Sequence, residues 1–121
     1  MKKYSLLVSI LIALFFTACS EKKQTIQNFS PDKKISIVVE GKKPNALDPW
    51  VLDFKITAGD KKGSLSTEFH SSELTAENIK FNWLEADHCE LTLTEQDDVK
   101  RIFLIRVDSD GIQMQEQPLT E

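Results

Sequence analysis

From Ile35 onward the chain repeats one pattern: apolar residues two apart, in short runs divided by turn-forming residues. Ile35, Ile37 and Val39 form the first run, and Trp50, Leu52, Phe54 and Ile56 the second. Leu65, Thr67 and Phe69 follow, then Ile79, Phe81 and Trp83, then Cys89, Leu91 and Leu93. Phe103, Ile105 and Val107 make the sixth run, and Ile112 to Gln115 the last. A period of two sends alternate side chains to opposite faces of an extended strand, so each run has one face to bury. Turns are expected at Gly41–Asn45, Ala58–Gly63, Ala86–His88, Gln96–Asp98 and Asp108–Gly111. The segment Ser71 to Asn78 breaks the period and reads as a loop or a single helical turn, with a weak cap at Ser72. The expected class is all-β: a small antiparallel sandwich or partly open barrel of about seven short strands.

Two details refine that expectation. Arg101–Val107 is apolar on both faces, because Ile102 and Leu104 oppose Phe103 and Ile105, so this strand is expected to be central or covered. Trp50, Trp83 and Cys89 all fall on core-facing positions and read as core residues.

The start of the chain follows a different logic. Met1 to Ser20 reads MKKYSLLVSILIALFFTACS, with Lys2 and Lys3 ahead of an apolar run from Leu6 to Phe16. Such a run is short for a permanent membrane span, which needs about 20 apolar residues, and has the layout of an export signal. Thr17-Ala18-Cys19 ends it and resembles the lipobox of bacterial lipoproteins, with Phe16 standing where leucine is usual. The resemblance implies cleavage before Cys19 and a diacylglyceryl group on its sulfur. It further implies acylation of the new amino terminus, with palmitate as a typical chain. Two or three acyl chains anchor stably where one holds only marginally. In the enterobacterial sorting pattern Ser20, after the cysteine, permits the outer membrane rather than the inner one. The expected organisation is a signal peptide at 1–18, a lipidated cysteine and flexible tether at 19–31, and a single β domain at 32–121.

Charge narrows the partners. Loss of Lys2 and Lys3 leaves 13 basic against 19 acidic residues, a net charge of −6. That balance disfavours nucleic acid, which requires a basic patch, and a surface that hugs anionic headgroups. The negative charge is concentrated after residue 84, where acids recur at turns. Asp87, Asp97, Asp98, Asp108 and Asp110 are the candidate partner-binding residues, and otherwise a solvated rim.

Motifs for chemistry are sparse. The chain contains no Gly-x-Ser-x-Gly elbow, no His-Glu-x-x-His and no glycine-rich phosphate loop. Asp108-Ser109-Asp110-Gly111 lacks the remaining ligand positions of a calcium loop and reads as a hairpin turn. His70 and His88 offer a weak metal alternative, provided the fold brings them together. With Cys19 lipidated, Cys89 has no intramolecular disulfide partner.

The first expectation is therefore a non-enzymatic, membrane-anchored envelope lipoprotein without a cofactor, acting through contact with an envelope protein as adaptor, inhibitor or immunity protein, or assembly accessory. The alternative is a small-ligand or metal binder, with Trp83 beside the histidines.

Overall fold

The computed structural model describes residues 21–118. Eight strands form two four-stranded antiparallel sheets. The first sheet is a meander of β1 (Lys22–Phe29), β2 (Ile35–Lys43), β3 (Trp50–Ala58) and β4 (Lys61–Phe69). The second is a meander of β5 (Ile79–Glu85), β6 (His88–Thr94), β7 (Lys100–Asp108) and β8 (Gly111–Gln117). The sheets pack as a small sandwich. All seven expected runs are strands, and Arg101–Val107 is interior to its sheet.

The core is made by the alternation itself. Ile37, Val39, Leu52, Phe54, Ile56, Cys89, Leu91, Leu93, Phe103 and Ile105 are fully buried. Their neighbours along each strand face outward. Phe54 of β3 meets Phe103 of β7 edge-on, with centroids 5.1 Å apart at an interplanar angle of 73°, so this pair joins the two sheets at their middle. Each such side chain contributes about 1.5–3 kcal/mol when fully buried.

The flanks close differently. On one side β4 and β8 come together. A Cβ on Gly63 would lie 3.0 Å from Ile112, so glycine lets the second sheet approach there. Lys61 Nζ donates to the Asp108 carbonyl at 2.5 Å. Nearby, Arg101 ties β7 to β4 of the facing sheet and to β8 beside it. Its guanidinium donates to Glu68 O at 2.7 Å and Thr67 Oγ1 at 2.8 Å on β4, and makes a two-pronged pair with Glu116 on β8 at 2.8 and 2.9 Å. On the other side Trp83 Nε1 of β5 donates to Asn28 Oδ1 of β1 at 2.8 Å.

Three expectations are corrected. The segment expected to be a flexible tether is largely strand: Lys22–Phe29 pairs with β2 along its whole length, from Lys22↔Lys43 to Phe29↔Ser36. It supplies the eighth strand. Its sequence hides this because Ile26 is its one partly buried apolar side chain, and backbone pairing with a well-buried neighbour carries the rest.

Gly41 is inside β2 rather than in a turn, opposite Leu52 and Gln24. Leu74 from the 70–78 loop fills the space where its Cβ would be, so the glycine serves close packing. The turn at Ala58–Gly63 shrinks to Gly59-Asp60, because β4 begins at Lys61. Ser71–Asn78 is a loop, closed by Asn78 Oδ1 accepting from the Thr75 backbone N–H and hydroxyl at 2.7 and 2.9 Å.

Meander topology gives the sandwich two unlike ends. Segment 30–34 and the pairs Gly59-Asp60, Ala86-Asp87 and Ser109-Asp110 gather at the turn end. The loops 44–49, 70–78 and 95–99 gather at the opposite, loop end, where β1 begins and β8 finishes. Gln96 N–H donates to His70 O at 2.8 Å and joins the two sheets' loops there.

Candidate functional site

At the turn end the β1–β2 connection and the β5–β6 turn stand apart and leave an open cleft of about 790 Å³ between the sheets. Its floor is apolar: Ile35 at the start of β2, Ala58 at the end of β3 and Val107 near the end of β7. Its rim is charged, with Asp32 and Lys34 from the first sheet facing Glu85 and Asp87 from the second.

Local sequence builds each wall. Ser30 is buried, and its Oγ accepts the Ile35 N–H at 3.0 Å while donating to Asp32 Oδ1 at 2.6 Å. The Lys34 N–H also donates to Asp32 Oδ1, at 3.1 Å. The Ser30 hydroxyl first, and the Lys34 N–H second, hold the Asp32 carboxyl below the usual carboxylate value, so this rim carries a fixed anion at neutral pH. On the facing wall the β5–β6 register slips between Trp83 and Glu85, which leaves Leu84 unpaired and half exposed. A bulge of this kind re-aims the residues beside it, here Glu85 at the cleft mouth. Asp87 follows in the turn, and its carbonyl accepts the Val107 N–H at 2.9 Å.

The five candidate aspartates do not form one surface. Asp87 lines the cleft, and Asp108 and Asp110 flank the β7–β8 turn at the same end. Asp97 and Asp98 belong to a short 3₁₀ turn at the loop end, both with left-handed φ, at 62° and 58°. Aspartate tolerates that conformation better than most residues. The acidic half of the sequence is thus divided between the two ends of the molecule.

The weak metal alternative at His70 and His88 is corrected in the same way. His70 follows β4 at the loop end, where its Nδ1 lies 3.2 Å from Glu95 Oε2. His88 opens β6 at the turn end, a strand length of about 20 Å away. Antiparallel order sends them apart, so they share no site. Among the described residues no three His, Cys, Asp or Glu side chains converge as a metal site. Trp83 is taken up by Asn28 and the core. Cys89 is buried as expected, and burial pushes its thiol up to about 11. Cys19 and the signal segment lie outside the described residues.

Sequence reasoning missed Asp32, Lys34 and the apolar floor, and read Glu85 beside Asp87 only as a solvated turn carboxylate. The composition of Ser30–Lys34 does announce a turn. Nothing in it announces that Glu85 and Asp87, more than fifty residues later, would face it across a gap. No family model matches the chain, and no curated protein or solved structure matches it.

Proposed function

We propose that the protein is a lipid-anchored envelope protein whose β-sandwich is non-catalytic and grips a partner protein in the turn-end cleft. The observation that carries this reading is the cleft itself: an apolar floor of Ile35, Ala58 and Val107 under a rim of three carboxylates and one ammonium group. A concave apolar surface with a few polar groups at its margin is the common form of a binding site. The charge of the rim selects the occupant. It suits a segment that inserts an apolar side chain and presents lysine or arginine beside it, because opposite charge at a rim steers encounter and rejects wrong partners. An adaptor, an inhibitor or immunity protein, and an assembly accessory all work by such contact.

The anchor belongs to the same reading. Cys19 carries the lipid, and Ser20 directs the protein to the outer membrane. Replacing Cys19 (Cys19→Ala) is expected to block processing and release the protein from membranes. A mutant that stays membrane-bound at the mature size contradicts the anchor.

Chemical cross-linking in intact host cells, followed by mass spectrometry of what co-purifies, tests the contact. One dominant envelope protein, linked through Lys34, supports it. A second reading rests on the size of the cleft, which falls within the ~300–1,000 Å³ usual for small-molecule sites. A small molecule retained in the purified protein, with no protein partner, would favour that reading.

A further inference from the structure

The register of β1 against β2 places Lys22 opposite Lys43 and Lys23 opposite Lys42. Adjacent rungs point to opposite sides of the sheet: Lys22 and Lys43 share the side that faces the core and Lys23 and Lys42 the outer side, so ammonium groups flank both sides of this edge at the loop end. Like charges set directly opposite in a ladder repel. Lys23 Nζ lies 3.5 Å from Glu21 Oε1. Lys43 is buried, at 8 % exposure, with its Nζ donating to the Asp48 carbonyl at 2.5 Å, so Lys22, Lys23 and Lys42 are the exposed ammonium groups here. Among the described residues no carboxylate pairs with Lys22 or Lys42. The clustering stands out in a chain that is acidic overall.

Beside the lysines, the 44–49 loop carries Leu47 at 96 % exposure, far above any other large apolar side chain described. Leu47, Ala46 and Pro49 share a shallow groove with Lys22 and Lys43. An exposed apolar tip, with Asp48 beside it and the ammonium groups of Lys22, Lys23 and Lys42 at the same end, suits a phospholipid surface, where the tip enters the acyl boundary and the cations meet phosphate.

The sequence supplies the other half of the argument. Only Ser20 and Glu21 separate Cys19 from the first residue of β1. Fully stretched, that link spans about 10 Å. A lipid on Cys19 would hold the loop end, rather than the turn end, against the headgroups.

We propose that the exposed Lys22, Lys23 and Lys42 at the β1–β2 edge, together with Leu47, form the end on which the anchored domain rests against an anionic phospholipid surface. This rests on the lipid anchor proposed above. Glu73, Asp97 and Asp98 share the loop end, so resting on this edge requires the domain to lean toward its β1–β2 corner, away from those acids. The cleft then points outward, about 30 Å from the membrane along nine residues of strand.

The test uses the full-length lipidated protein in vesicles of phosphatidylethanolamine and phosphatidylglycerol. An environment-sensitive fluorophore is attached through Leu47→Cys or, for comparison, Asp110→Cys. Cys89 is buried and does not compete for the label. At position 47 the emission is expected to shift to shorter wavelength and to be quenched by nitroxide-bearing lipids, with neither effect at position 110. Adding Lys22→Glu and Lys42→Glu should abolish the shift at 47 while flotation with the vesicles persists. Flotation without quenching at 47 overturns the resting face and leaves the anchor standing. Failure to float overturns both.

Discussion

Trp83 Nε1 donates a 2.8 Å hydrogen bond to Asn28 Oδ1, which fastens β5 of the second sheet to β1 of the first. Together with the ladder to β2, that bond holds a segment with a linker's composition in the sandwich. It brings the folded domain to within two residues of Cys19, and so governs how far the domain can stand from a membrane.

Removing the acceptor should loosen β1 selectively. Asn28→Ala leaves a part-buried indole N–H without its partner, at a cost of about 1–2 kcal/mol. Trp83→Phe in the same background should cost less than in the wild type, because the bond is already gone. Urea unfolding of the two single variants and the double variant measures the coupling. Hydrogen exchange should show the loss of protection falling first on Lys22–Phe29. Strictly additive effects would mean that the bond contributes nothing to docking β1.

The Arg101–Glu116 pair predicts how stability responds to acid. The hydrogen bond from Arg101 is the main cause holding the Glu116 carboxyl below its ordinary 4.5. In the unfolded chain the carboxyl takes up a proton more readily than in the folded protein. The pair's contribution is thus complete above pH 4.5 and is lost as pH falls through the lower folded value. Glu116 is 42 % exposed, so the contribution is no more than about 1 kcal/mol. Glu116→Gln should be less stable than wild type at pH 7, and the two unfolding curves should converge in acid. A gap that stays constant with pH would assign the loss to packing.

Cys89 should behave as a core atom. Its thiol is buried, and burial raises it to about 11, so thiolate is scarce at neutral pH. Maleimide is expected to leave the native protein unmodified at pH 7.5 and to react promptly once urea unfolds it. Cys89→Ala should cost stability through lost packing while membrane attachment is retained. Rapid labelling of the native protein would contradict the buried position.

The fold was largely legible because its core obeys strict alternation. Trp50-Val51-Leu52-Asp53-Phe54 can bury one face in only one register, and the tight pairs Ala86-Asp87 and Ser109-Asp110 fix the hairpins around such strands. β1 was hidden because an edge strand can be held by its backbone ladder, with Ile26 and Asn28 alone turned inward and partly buried. The cleft was hidden for a different reason. Ser30–Lys34 and Glu85–Asp87 each look like ordinary polar turns. Their meeting depends on how two separate meanders stack, which no local pattern records. Reading the acidic turns as a single group likewise overlooked that antiparallel order sends Asp97 and Asp98 to the end opposite Asp87.

The division of acids between the two ends gives the most direct measurement. A photo-reactive phenylalanine analogue is placed at Asp87, in the cleft, or at Asp97, at the loop end, and intact host cells are irradiated. The account predicts a discrete protein adduct from position 87 and none of that size from position 97. An adduct confined to position 97, with position 87 silent, would contradict the cleft as the contact surface.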